Sequence, residues 1–568
     1  MDKKKFLNGL IFVVIAVVAI WLRLLYIDTD LWYDEACSWF SAKQSFPYGI
    51  MENLLTLDLQ HTPLYFFLLH FWMKLFGQSE IPMRILSLIF GLGSIPLVYT
   101  AAKKISTGKI AVWAASLAAV SPLLVLFSVE VRMYPIVTFL VLLSFNYLID
   151  FEQKNDTNSL IKLVIANVLI PYTLVGGILY NISLFICYSI YLFKSKKRVF
   201  ISYLKAVAAE YVLLIPYFCM VAYYAKERRL FVIAREGELQ FFHVIDVIRN
   251  FFGSTLISNI YWPSIDPYNF TFIFTIAVVV PCVYFVWALV KGAKTEDKFL
   301  KTLYYVFFLS FVLSVFFALF KVNILTVRYI LYLLPPLFIL SVIGLFTNLS
   351  DKHCKIFLSV FITFCVIYCT HNYPFFRILK TNALKTVRLE SDNLHLGVDD
   401  VIIMPFASDA PYYFRDLTSP RVFNFDFHKQ ARNPYNDNFY DKVQQDKMAT
   451  NLKYKQMYFA VMSNEVLSDN FYKYFVQNVN MTVPSTRYVL LAIYGSDANS
   501  LVSIQDLKKY ITLESDVEKD MLGVMFKKTL CDIRAMLDMD FEYVKSYHRD
   551  NYTFLLYRKN NYNKIEVL

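Results

Sequence analysis

The sequence predicts a polytopic α-helical membrane protein of about 11 transmembrane helices, followed by a C-terminal extracytoplasmic α/β domain. Three observations carry this expectation. Of 568 residues, 57% are hydrophobic and 18% aromatic, with a mean hydropathy of +0.45, a composition that would keep a soluble chain out of solution. The apolar residues come in runs approaching the ~20 needed to cross the roughly 30 Å hydrocarbon layer. From about Tyr373 the runs shorten and alternate with polar stretches. The formal charge of +11 does not describe a nucleic-acid groove, because its lysines and arginines cluster between apolar runs as topology signals do. Five of the eight cysteines lie inside apolar runs and no CxxC pair occurs, so neither a disulfide framework nor a thiolate metal site is indicated.

In chain order, Lys3-Lys4-Lys5 precedes the apolar run Leu7 to Leu25 and places the N-terminus in the cytoplasm. No small-residue cleavage site follows that run, which reads as a retained anchor. Further spans are expected at 84–102, 109–129, 133–150, 161–174, 176–193, 199–224, 269–291, 300–320, 327–347 and 354–372. The short apolar piece Pro63 to Phe76 is expected at the outer interface, lying on it or dipping in, because counting it as a span would invert the charge bias. As assigned, inner segments hold about 18 Lys/Arg in roughly 50 residues and outer loops about 11 in roughly 115. An odd number of spans sends the C-terminus outside. The domains expected are thus 1–372, with outer loops 26–83 and 225–268, and 373–568.

This topology collects the unusual polar residues on one face. Asp34 and Glu35 follow the first span, flanked by Trp32 and Tyr33, and adjacent carboxylates beside lipid are functional candidates by default. An interfacial aromatic belt with two hydrated acids is the plainer alternative. His61 lies in the same outer loop, with Arg84 at the boundary of the second span. Glu130, Arg132 and Tyr134 sit at the turn between the third and fourth spans, and Arg328-Tyr329 open the tenth. Each has a structural alternative: an interfacial Glu130–Arg132 pair, a snorkelling Arg328, a helix-capping His61, a boundary-marking Arg84. In loop 225–268, Phe241, Phe242, Ile245, Ile248 and Phe252 recur at helical spacing around His243, Asp246 and Arg249, as in an amphipathic surface helix.

In the C-terminal region, Val401–Met404, Met457–Met462 and Tyr488–Tyr494 read as strands and Asp409–Phe414 as the start of a helix. Tyr543–Tyr547 and Tyr552–Tyr557 read as a hairpin around Arg549-Asp550-Asn551. No phosphate loop or nucleophile elbow appears there.

A carboxylate beside a bilayer with converging arginines suits a lipid carrying a phosphate leaving group. Arginine grips phosphate bidentately, and a carboxylate can deprotonate an attacking hydroxyl. The combination of Asp34-Glu35, His61-Thr62-Pro63-Leu64-Tyr65, Leu75 to Glu80 with Arg84, Ser128 to Tyr134, and Val327-Arg328-Tyr329 with Pro335-Pro336 resembles the GT-C superfamily of polyprenyl-phosphate-sugar glycosyltransferases. The resemblance covers roughly residues 1–350 and is nearest the protein O-mannosyltransferase and aminoarabinose-transferase branch. It implies that Asp34 is the base with Glu35 beside it assisting or binding, and that Arg132 and Arg328 hold the donor phosphate. It further implies that Glu130 orients Arg132 and that His61, Glu130, Arg84, Tyr134 and Tyr329 belong to the same donor-phosphate-binding set. The implied partners are a polyprenyl-phosphate-linked sugar donor, membrane lipids, and an acceptor lipid, protein or cell-wall polymer. Transfer in this branch mostly needs no metal, although Glu35, His61 and His243 leave room for a divalent ion. A lipid-linked sugar flippase or transporter is the competing class; it calls for charges at mid-membrane depth and broken helices in paired halves, whereas here the charges gather at one face and no internal repeat is visible.

Overall fold

The computed structural model describes residues 3–56, 61–226, 241–252, 270–319, 325–380, 383–397, 400–405, 410–413, 421–425, 487–494, 537, 541–549 and 552–560. The chain divides into two compact units. One comprises Met1–Thr29 with Cys37–Lys380, the other Asp30–Ala36 with Thr381–Leu568.

Among the described residues the first unit has only helical regular structure. It opens with α1 (Lys3–Ile27); α2 (Tyr33–Ala42) enters it from the second unit, and α3 (Tyr48–Thr56) and α4 (Pro63–Phe76) follow. At 1.5 Å per residue the 14 residues of α4 reach only about 21 Å. Pro63 starts α4 where a missing N–H is harmless. Gly77 ends it at φ 93°, a backbone angle glycine adopts freely, its N–H returning to Met73 O at 3.0 Å. Next come α5 (Glu80–Ile105), α6 (Gly108–Val120), α7 (Pro122–Phe127), α8 (Tyr134–Lys154) and α9 (Thr157–Thr173). Between α8 and α9, Asn155 takes the left-handed conformation at φ 53° and Asp156 caps α9, accepting from Ser159 N at 2.7 Å. That capping holds the Asp156 carboxyl below its ordinary pKa. The unit continues with α10 (Ile178–Ser195), α11 (Lys197–Leu213), α12 (Ile215–Lys226), α13 (Phe241–Phe252), α14 (Phe270–Gly292), α15 (Lys298–Leu319), α16 (Leu334–Asn348) and α17 (Asp351–Lys380).

Among the described residues seven helices are long and apolar enough to cross a membrane, or eight if α11 and α12, bent by 46°, form one span. The shorter apolar helices are α4, α6 and Val278–Gly292 of α14. The chain is a multi-pass membrane protein. The expected 109–129 run is interrupted at Ser121-Pro122, where Pro122 begins α7. The 199–224 run divides at Leu214. Helix α13 forms where amphipathic spacing predicts it and packs on α14, with Val247 and Phe251 buried; the side chains of His243 and Asp246 lie outside the described residues.

The lysine-rich helix ends are tied by ion pairs. Lys104 reaches Asp150 at 2.8 Å, and Glu152 accepts from Lys196 at 2.7 Å, Tyr191 at 2.6 Å and Tyr188 at 2.9 Å. The two most enclosed spans are Tyr134–Lys154 and Leu331–Asn348. Each directly follows a segment that the sequence marks out, one with Arg132 and the other with Arg328.

In the second unit α18 (Ala383–Asn393) packs against the short α19 (Ala410–Tyr413). A five-stranded sheet has the order β2-β1-β3-β5-β4, with β1 Val401–Pro405, β2 Arg421–Phe425, β3 Tyr488–Tyr494, β4 Phe541–Arg549 and β5 Tyr552–Lys559. Strand β1 runs parallel to β2 and β3, whereas β5 is antiparallel to β3 and β4, the β4–β5 hairpin pairing Arg549 with Tyr552. Buried Asp400 binds Arg487 at 2.8 Å and Tyr488 N at 3.0 Å, fixing where β1 and β3 begin. The expected strand at Met457–Met462 lies outside the described residues, and β2 was not anticipated.

Candidate active site

Arg132 is one of three almost fully enclosed charged side chains of the expected set, with Glu35 and Arg84. It lies in the Ser128–Met133 turn between α7 and α8, and that turn is fastened on several sides. Ser87 of α5 donates to Arg132 O at 3.2 Å, and Arg132 N donates to Glu130 O at 2.7 Å. Gly91 of α5 lies so close that a Cβ there would come within 2.4 Å of Ser128 Cβ. Ser128, Glu130, Arg132 and Tyr134 are all buried.

Arg132 as a whole is 2% exposed. Its Nη1 donates to Ser38 Oγ at 3.1 Å, and Nη2 lies 2.8 Å from His61 Nε2. Arginine only donates, so Nε2 is the acceptor and His61 is held as the tautomer protonated on Nδ1. His61 precedes Thr62, the N-cap position of α4, and its ring is turned to Arg132; the Thr62 side chain makes no capping hydrogen bond.

From Arg132 a row of rings runs to the second expected arginine. The Arg132 guanidinium lies 5.9 Å from the Tyr134 ring centroid, Tyr134 lies 6.2 Å from Tyr329, and Arg328 lies 5.2 Å from the Tyr329 ring. Segments preceding the two most enclosed spans thus present two cations about one tyrosine pair. Such contacts favour a cation over a ring face by roughly 0.5–2 kcal/mol.

Arg84 serves elsewhere. It is fully buried, and Nη1 donates to Ile27 O at 2.9 Å and to Thr29 O. Ile27 is the last residue of α1 and Thr29 lies just beyond it, where a cation compensates the negative end of the helix dipole.

The acidic pair opens α2. Asp34 is half-buried and Glu35 fully buried. The Glu35 carboxylate turns back to accept from Trp32 N at 3.4 Å, the returning half of a capping box. Asp34 occupies the turn before Ser38 on the same helix. Ser38 and Ser87 were not anticipated from the sequence. Only the four-residue spacing of Ser38 from Asp34 could have drawn attention to it. Among the described residues no three His, Cys, Asp or Glu side chains gather as metal ligands.

Residues 60–224 match the family model described as dolichyl-phosphate-mannose-protein mannosyltransferase. That stretch holds His61, Arg84, Glu130, Arg132 and Tyr134. The structure is similar to ArnT from Cupriavidus metallidurans in the apo state, with 11% identity, 96% of this chain and 97% of that one covered, and a TM-score of 0.55. It is similar to the same protein bound to undecaprenyl phosphate, again at 11% identity and 96% and 97% coverage, with a TM-score of 0.54. The archaeal oligosaccharyltransferase AglB from Archaeoglobus fulgidus matches over 86% of this chain and 70% of its own at 13% identity, with a TM-score of 0.46. A search of curated proteins returns no match. The chain has the GT-C fold, with a C-terminal sheet-containing unit.

Proposed function

We propose that the protein is an integral-membrane glycosyltransferase that moves a sugar from a polyprenyl-phosphate carrier to an acceptor on the extracytoplasmic face. The observation that carries this reading is the buried Arg132, whose guanidinium is aimed by Ser38 and His61 and joined through Tyr134 and Tyr329 to Arg328. Serine hydroxyl and neutral imidazole are partners that a phosphate can displace or join. The family match over 60–224 and the undecaprenyl phosphate bound by ArnT agree with that chemistry.

In this reading Asp34 takes the proton of an acceptor hydroxyl as its oxygen attacks the anomeric carbon. The bond from that carbon to the phosphate oxygen breaks, the electron pair leaves with the phosphate, and configuration inverts. Arg132 and Arg328 stabilise the growing phosphate charge. Glu35, turned onto the backbone, shapes the start of α2, leaving Asp34 as the base; Glu130 belongs to the turn that sets Arg132. Residues 1–372 form the catalytic membrane domain, the N-terminus is cytoplasmic, and residues 373–568 lie outside.

The test incubates purified protein with a panel of polyprenyl-phosphate sugars and identifies glycosylated product by mass spectrometry. Asp34→Asn, which keeps shape but removes the base, is expected to lower turnover at least ~10³-fold while folded protein persists. Product formation by that variant at the wild-type rate overturns the role of Asp34. Movement of lipid across vesicles with no product from any sugar overturns the transferase reading in favour of a transporter.

A further inference from the structure

The segment carrying the acidic pair, Asp30–Ala36, belongs to the same compact unit as Thr381–Leu568. What holds it there is specific. The Tyr413 hydroxyl accepts from Leu31 N at 3.1 Å and donates to Leu31 O at 3.3 Å, so one phenol satisfies both main-chain groups of a single residue. Leu31 is fully buried and Tyr413 nearly so. One residue earlier, Asp30 pairs with Lys385 at 2.7 Å. Tyr413 ends α19 and Lys385 lies in the first turn of α18, and these two helices pack together. Tyr412, beside Tyr413, stacks edge-on to it at 5.0 Å and is itself buried.

Leu31 lies two residues before the first residue of α2 and three before Asp34. A backbone clamped at Leu31, followed by the Glu35 return to Trp32 N, leaves the start of α2 little freedom. We propose that Tyr413, assisted by Lys385, is a positioning residue for Asp34: the C-terminal unit sets the attitude of the acidic pair. The inference rests on the proposed role of Asp34. Of the two contacts Tyr413 is the stronger, since Lys385 is half exposed and an exposed ion pair contributes little. It follows that anything shifting α18 and α19, an acceptor bound to this unit included, reaches Asp34 through Leu31.

The experiment uses the full chain in detergent or nanodiscs and compares Tyr413→Phe, Lys385→Met, and the exchanged pair Lys385→Asp with Asp30→Lys. Backbone hydrogen exchange over residues 30–36 reports the clamp without reference to activity, while kcat and donor KM report its consequence. Expected are faster exchange at Leu31 in Tyr413→Phe and a kcat about 10-fold lower at unchanged donor KM, since misplacement near an ångström costs up to ~10²-fold. Lys385→Met should lower kcat less, and the exchanged pair should recover most of that loss. Faster exchange with wild-type kcat overturns the positioning role, as does unchanged exchange. If Asp34→Asn proves fully active, the proposed reaction role fails instead, and the exchange result still reports whether Tyr413 holds the segment.

Discussion

Two buried arginines, both drawn from the same family-like set of motifs, come to opposite uses. Arg84 donates to carbonyl oxygens that close α1, main-chain atoms that no ligand replaces. Arg132 donates to a serine hydroxyl and an imidazole nitrogen, both side-chain groups. Main-chain acceptors on one arginine and side-chain acceptors on the other mark the difference between the two, since both cations are buried. If that is right, truncating the two should damage different observables. Arg132→Ala is expected to reduce transfer by about 10²–10³-fold, the loss typical of removing a donor to developing charge, while the melting temperature stays near wild type. Arg84→Met should do the reverse: a loss of about 3 kcal/mol in stability, as expected for buried hydrogen bonds from a charged group, with near-normal donor KM in the protein that remains folded. Thermal unfolding in detergent beside steady-state kinetics separates the two. Equal loss of stability in both variants would erase the distinction.

His61 sharpens the same contrast. Its Nε2 must accept from Arg132, so the ring is useful only while neutral. His61→Gln can supply an amide oxygen to the same guanidinium, and His61→Leu cannot. The leucine variant is expected to raise the donor KM about 10-fold and the glutamine variant only a few-fold, read by titrating lipid-linked donor at fixed acceptor. Identical effects would mean that His61 merely fills space beside Phe66, whose ring it meets edge-on at 5.8 Å.

Much of this architecture was legible because a bilayer restricts what can cross it. Apolar runs at 84–102 and 133–150 correspond to helices Glu80–Ile105 and Tyr134–Lys154, with polar ends extending past the greasy centre. The runs that proved broken, at Ser121-Pro122 and at Leu214, read as continuous because hydropathy sums over a window and does not register a backbone interruption. In the C-terminal unit, Val401–Met404 was visible as an unbroken apolar run and the hairpin as two aromatic-rich stretches about a turn, whereas β2, Arg421–Phe425, is as short as β1 but interrupted by Arg421 and Asn424 and so gives no apolar run. The site was legible as residue types only. Nothing local distinguishes Arg84 from Arg132, since both are single arginines beside apolar helices. Their difference lies in partners 55 and 57 residues away for Arg84 and 71 and 94 away for Arg132. Glu35 was readable in principle, because a glutamate at the third helical position after an uncapped start is the returning half of a capping box.

Arg328 is the residue on which the contrast between the two arginines has still to be tried, and the smallest expected effect decides it. It is half-buried, and its ring partner Tyr329 is also the bridge to Tyr134 and so to Arg132. If Arg328 only anchors the start of its span at the interface, Tyr329→Leu removes an aromatic pair worth about 0.5–1.5 kcal/mol from stability and leaves the donor KM alone. If Arg328 acts with Arg132, the same substitution lets one cation drift from the other, and the donor KM rises several-fold with little change in kcat. A double-mutant cycle of Tyr329→Leu with Arg132→Lys then shows coupling in donor binding, because neighbours sharing a ligand are not additive. Additive losses in that cycle would put Arg328 beside Arg84, as a cation that serves the fold.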